Sequence, residues 1–260
     1  IKVISNYFIK ISGPLFVLTG AFLISFSSVF VATVDLEPTV SAFYRVFIGF
    51  LALYLFYCIK EKESPFRTKI SKYLYIAAII FVLDLWFWHR SIIYIGPGLS
   101  TLLASLQVLI IPFLSYFIFK DVIRKQQLVA VVIGVSGLFL CLSDNWQLAG
   151  SQYKLGILFG VLTALAYSGY TVTLKKASFH NKQLTNPVHT LLIVSLFASI
   201  LLAVTVLIEN NSFTIKSSSD LLWMLCYGVI CHVFGWIFIL KGMQTISAVS
   251  VGVILIAQPI

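Results

Sequence analysis

Nine long apolar runs follow one another along this chain, and their lengths decide what it can be. A hydrocarbon core of roughly 30 Å is crossed by about 20 residues of helix, because each residue rises about 1.5 Å. The first eight runs lie at 14–34, 39–59, 73–95, 98–119, 127–143, 155–174, 188–208 and 221–243, and most of them reach that length. A ninth begins near Ile246 and stops at Ile260, too short to cross. Composition agrees, with 60% hydrophobic residues, 10% charged and a mean hydropathy of +1.00. Soluble domains carry about 25% charged residues, so the expectation is an all-α polytopic membrane protein. The first run is too long for a cleaved signal peptide and more spans follow it. The chain does not open on Met, and both ends are expected to be trimmed from a longer molecule.

The formal charge of +9 invites a nucleic-acid reading, but the distribution of the charge gives a simpler one. Cytoplasmic loops of membrane proteins collect Lys and Arg. With a cytoplasmic N-terminus, 14 of the 18 basic residues fall inside, from Lys2 to Lys241, while Lys154 and Lys216 fall outside and Arg45 and Arg90 lie within spans. The basicity therefore sets topology, and no nucleic-acid partner is expected. Cys58, Cys141, Cys226 and Cys231 sit in apolar runs without CxxC spacing, so neither a disulfide nor a metal is expected.

The runs divide into five and four around the polar segment Asp144 to Lys154, which suggests an internal repeat. Laying residues 72–109 on 223–260 without a gap pairs Gln107 with Gln258 and Arg90 with Lys241, with identities also at Leu74, Ile79, Val82, Phe87 and Ile95. Polar matches in so apolar a stretch carry the argument. Glu37-Pro38 likewise opens the second run as Asn186-Pro187 opens the seventh, and proline suits a helix's first turn. An odd number of spans per repeat inverts the second copy. The expected architecture is two inverted five-helix repeats, over 14–143 and 155–260. Ten helices make the complete fold, of which nine are present and the ninth is truncated.

The stretch from Tyr94 to Leu140, YIGPGLSTLLASLQVLIIPFLSYFIFKDVIRKQQLVAVVIGVSGLFL, resembles span four, the short basic loop and span five of EamA-type transporters in the drug/metabolite transporter superfamily. Pro38, Phe43 and Arg45 resemble the family's opening of span two, and Gln258-Pro259 resembles the polar residue and proline midway along span nine. Two departures stand out: Asp121 where the family usually has Glu, and Val108 where it has Pro, with Pro112 a turn later. The resemblance covers nearly the whole chain. It implies ten helices around a central cavity that export or take up small metabolites.

Polar side chains deep in lipid cost from about 2.5 kcal/mol upward and therefore tend to face a cavity. Asp84 lies about 16 Å into the third run at about 1.5 Å per residue, too deep to snorkel. It is the expected proton-coupling residue, because a buried carboxyl is suited to carrying a proton. Trp88 and Ser91 share its helix face, while Trp86, His89 and Arg90 share another. Arg45 and Arg90 are placed to bind a carboxylate or phosphate or to snorkel. Ser27, Ser28, Gln107, Tyr167, His232 and Gln258 fall near mid-depth, with Trp236 one turn beyond His232. His232 reads either as a proton carrier or as a core histidine with its hydrogen bonds met. The expected substrate-binding set is Asp84, Trp88, Arg90, Gln107, Tyr167, His232, Trp236, Gln258 and Arg45. Gly156, Gly160 and Ala164 recur every four residues, which reads as close helix packing.

No phosphate-binding loop, catalytic triad or metal motif is present in the sequence, so no catalytic residue, metal or cofactor is expected. The leading reading is a secondary carrier of a small anionic or zwitterionic metabolite. It would sit in the plasma membrane, a bacterial inner membrane, with lipid as its surroundings and a monomeric or homodimeric state. The alternatives are an intramembrane enzyme acting on lipids or prenyl groups, whose acidic and histidine clusters are missing from the short loops, and a channel, which uninterrupted spans disfavour.

Overall fold

The computed structural model describes residues 2–61, 65, 66, 70–122, 125, 126, 129, 132, 133, 136, 137, 150–180, 183, 184 and 186–259. The helices are α1 (Lys2–Ser25), α2 (Ser27–Thr33), α3 (Pro38–Glu61), α4 (Lys72–Ala104), α5 (Gln107–Phe119), α6 (Ser151–Ala177), α7 (Pro187–Ile208), α8 (Ser218–Cys226), α9 (Trp236–Met243) and α10 (Ala248–Ile254). A π-helical segment, Tyr227–Gly235, joins α8 to α9, a 3₁₀ turn, Leu255–Ala257, follows α10, and a two-residue antiparallel ladder pairs Phe179–His180 with Gln183–Leu184. Most of the fifth run at 127–143, the basic residues Lys62, Arg67, Lys69, Arg124 and Lys182, and Cys141 lie outside the described residues.

Six helical stretches among the described residues are long and apolar enough to cross a membrane, and Gln107–Phe119 and Ala248–Ala257 are shorter apolar helices. The protein is an integral membrane protein built from helices. Both expected proline starts hold: α3 begins at Pro38, and α7 begins at Pro187, where the Asn186 side chain accepts a hydrogen bond from Val188 N at 2.9 Å.

The spans are not uninterrupted, contrary to the sequence reading, and the breaks in and after α4 have a local cause. α1 gives way to α2 at Phe26. α4 bends at Gly96, whose φ of 81° is open to glycine but strained for other residues. Pro97 starts the helix beyond it. That second piece ends at Ala104, and α5 begins at Gln107, so the run 98–119 is two half-helices. Within the first half, Ser100 and Thr101 hydroxyls donate to Pro97 O and Ser105 Oγ donates to Thr101 O. Such back-bonding competes with the backbone ladder and bends helices. Val108 N and Leu109 N then bond only three residues back, to Ser105 O and Leu106 O.

α4 lies along α6, α3 along α7, and α1 along α9 and the π segment. Small residues set the separations. A Cβ on Gly20 of α1 would lie 2.5 Å from Gly235 O, and one on Gly160 of α6 would lie 2.5 Å from Leu103 Cδ1. The expected Gly156, Gly160 and Ala164 stripe is thus the face of α6 that meets α4, with Ala164 fully buried. In lipid, such packing replaces hydrophobic drive between helices. The main core, around Phe81, Tyr170, Leu174, Leu191 and Trp236, fills one half of the bundle, and a smaller cluster around Trp88, Ile92 and Tyr227 lies toward the other.

Candidate functional site

At the junction of these clusters the helix breaks leave a central cavity of about 40 Å³, room for a few water molecules at roughly 10–15 Å³ each. Its wall takes Ser25 and Ser28 from either side of the Phe26 break, Arg45 from α3, Asp84 and Trp88 from α4, Tyr167 from α6, Trp236 from α9, and Gln258 from just after the 3₁₀ turn. Six of the nine expected site residues therefore meet here: Arg45, Asp84, Trp88, Tyr167, Trp236 and Gln258.

Asp84 is 7% exposed and accepts no hydrogen bond from a described residue. Arg45 is 4% exposed. Its Nη1 donates to Tyr227 OH at 3.0 Å, its Nε has no partner, and its guanidinium stands 4.8 Å from the Tyr227 ring centre and 5.9 Å from that of Phe81. Acid and base share the cavity without forming an ion pair within 4.0 Å. A buried charge is stable only when paired or fully hydrogen-bonded. Both side chains line the cavity with bonding capacity that no described residue fills. Across from them Gln258 Nε2 donates to Tyr167 OH at 2.9 Å, which fixes an amide and a phenol side by side.

Beneath Asp84 lies an aromatic floor. Phe81 stacks on Tyr170 at 4.5 Å between ring centres, and Trp236 meets Tyr170 edge-on at 4.8 Å and Tyr167 at 5.9 Å. Tyr170 OH and Trp236 Nε1 are buried without partners. Behind Arg45, Tyr227 OH also lies 3.4 Å from His89 Nε2, and His89 Nδ1 is bonded to Leu85 O.

Three expected site residues stand elsewhere. His232 is fully buried behind Phe81, with Nε2 at 2.8 Å from Ser195 Oγ and Nδ1 unpartnered. Gln107 opens α5 with both amide atoms buried and unpartnered, while its backbone oxygen accepts from Ser168 Oγ at 3.4 Å. Arg90 points away from the cavity to Glu209, with Nη2 at 2.6 Å from Oε1. Its carboxylate partner is therefore one of the protein's own. The residues not anticipated include Ser25, Thr101 and Phe81 in the cavity wall, and Tyr227 and Glu209 beside Arg45 and Arg90. Tyr227 and Phe81 lie in apolar runs that hold many other aromatics, and Glu209 follows the apolar run 188–208, so no sequence signal sets them apart.

The family model described as the EamA-like transporter family matches residues 11–143 and 154–260. A solved structure, titled only as the crystal structure of a protein, superposes with a TM-score of 0.75 at 17% sequence identity, covering 96% of this chain and 86% of that one. At that identity the likeness establishes a shared fold. The comparison with curated proteins gave no match. With the family model matched on both sides of the segment 144–153, and helices that cross a membrane around a polar cavity, the chain belongs to the EamA-like transporter family.

Proposed function

We propose that the protein is a secondary carrier that moves a small metabolite across the plasma membrane by alternating access, with Asp84 carrying a coupled proton. The observation that carries this reading is that Asp84 and Arg45 line one cavity with no ion pair between them within 4.0 Å. An acid and a base held apart suit a ligand that brings its own charge, and the favoured substrate is anionic or zwitterionic. In such a site Arg45 receives the carboxylate or phosphate, Asp84 the proton or an ammonium group, the Tyr167–Gln258 pair a polar group, and Trp88 and Trp236 the apolar part.

Two inverted five-helix repeats, 14–143 and 155–260, ten helices in the complete fold, provide the moving parts. The paired helix breaks support this. α4's second piece ends just before Gln107, and α10 gives way to a 3₁₀ turn just before Gln258, the two positions that the 151-residue shift superposes. Broken helices at the midplane are where carriers of inverted repeats place their sites. The charge distribution supports a cytoplasmic N-terminus, which puts Glu209 and Arg90 at the outer end and Lys175 at the inner end.

The test is uptake into proteoliposomes that contain the full-length protein, against a panel of labelled carboxylates, phosphate esters, amino acids and neutral sugars. Saturable uptake of a charged solute, reduced at least tenfold by Arg45→Gln, supports the reading. Uptake confined to neutral sugars, or charged uptake indifferent to Arg45, refutes the assigned site.

A further inference from the structure

A dense polar cluster outside the central cavity is built on Glu209, at the C-terminal end of α7. A helix C-terminus repels an anion, so the carboxylate is held there by its donors. Arg90 Nη2 donates to Oε1 at 2.6 Å and Trp86 Nε1 at 2.8 Å, while Thr39 Oγ1 donates to Oε2 at 2.7 Å and Asn211 Nδ2 at 3.1 Å. A carboxylate offers about four lone-pair sites, and all are used. The Arg90 guanidinium also lies 3.9 Å over the Trp86 ring. One carboxylate from α7 thus clamps α3 and α4.

Trp86 and Arg90 are one turn apart on α4, and Trp88 and Ile92 are one turn apart on roughly the opposite side, at about 100° per residue. On that side Trp88, Ile92, Val31 and Ala104 pack into one cluster. Trp88 and Ala104 line the central cavity, while Val31 and Ile92 line a separate vestibule of about 330 Å³ that also takes in Asp35, Ser41 and Pro97. Residues that line one space thus pack in the same cluster as residues that line the other, and the stretch of α4 that carries Trp88 and Ile92 is held by Glu209 on its other side. Gly96, the bend of α4, lies one turn beyond Ile92.

We propose that Glu209 is the latch of the outer gate, a positioning residue that keeps the Trp88–Ile92 layer closed by anchoring α4 through Arg90 and Trp86. The proposal rests on the alternating-access reading: the layer withdraws when α4 moves, and α4 moves only when the Glu209 contacts break.

The experiment follows thiol accessibility and needs no substrate. In full-length protein with Cys58, Cys141, Cys226 and Cys231 replaced by serine, Ser28→Cys places a reporter in the cavity wall. A membrane-impermeant thiol reagent is applied to vesicles of either orientation. Glu209→Gln should raise the labelling rate from the outer side on the order of tenfold, with no rise from the inner side. Trp86→Phe, which removes one donor to the same carboxylate, should give a smaller rise in the same direction and keeps the test open if Glu209→Gln fails to fold. No rise from the outer side in a folded variant overturns the latch, and so does an equal rise from both sides, which marks general loosening. A reporter unreachable from both sides in every variant, yet fully labelled after unfolding in SDS, overturns alternating access through this cavity and the latch with it.

Discussion

The bond between Arg45 and Tyr227 lends itself to a quantitative test, because a single substitution removes it and leaves the packing in place. Phenylalanine at 227 keeps the ring that lies 4.8 Å from the guanidinium carbon and removes only the hydroxyl that accepts from Nη1. Since Arg45 Nε is already unpartnered, Tyr227→Phe leaves the guanidinium without a hydrogen bond among the described residues. Neutral bonds between helices in a membrane contribute about 0.6 kcal/mol on average. A charge-assisted bond is roughly twice as strong, which gives about 1.2 kcal/mol for this pair. The single substitution should cost more, about 1.5–3 kcal/mol, since it strands a buried charge. A double-mutant cycle of Tyr227→Phe with Arg45→Met, read from reversible unfolding in mixed SDS micelles, separates the two quantities. A coupling of about 1–2 kcal/mol is expected. A coupling below about 0.3 kcal/mol would mean that the hydroxyl does not hold Arg45 in place.

Four further substitutions probe the packing and the buried polar pairs. Gly160→Val forces a branched side chain against Leu103, whose Cβ would lie 2.8 Å from the new Cβ, and should destabilise by about 1–3 kcal/mol, whereas Gly98→Ala meets nothing within 4 Å and should be neutral or slightly stabilising. Ser195→Ala removes the partner of His232 Nε2 while Nδ1 stays unpartnered, and should lower the midpoint of the same unfolding titration by about 1–3 kcal/mol equivalent. Tyr167→Phe removes the acceptor for Gln258 Nε2 at 2.9 Å and should cost about 0.5–1.5 kcal/mol while weakening substrate affinity in the uptake assay.

Six of the spans were legible because run length is a property of composition, and the starts of α3 and α7 because Pro38 and Pro187 have no N–H to lose at a helix's first turn. The depth of Asp84 could be counted along its run, and so could the shared face with Trp88, since both follow from helical period alone. The helix breaks at Ser105–Leu106 and at Leu255–Ala257 could not. The first interrupts an apolar stretch with no Gly or Pro at the break, where Ser105 back-bonds to Thr101 O. The second lies one turn before Pro259, which has no N–H to offer Leu255 O, but a proline there does not by itself fix where the helix tightens. Nor could the destination of Arg90 be read, because its partner lies 119 residues away and only tertiary packing brings it near. Arg45 shows the same limit in the other direction. Its position near a span's end admits snorkelling, yet the fold turns it inward onto Tyr227.

Substrate flux in proteoliposomes carrying Asp84→Asn bears on transport itself. Asparagine preserves the shape of the side chain and removes its ability to carry a proton, in a cavity where no described residue hydrogen-bonds the carboxyl. The wild-type protein should show saturable uptake that an imposed pH gradient accelerates, and Asp84→Asn should abolish that acceleration while the protein remains folded. Unchanged, gradient-driven flux in Asp84→Asn would remove Asp84 from the mechanism and contradict the proton-coupled reading.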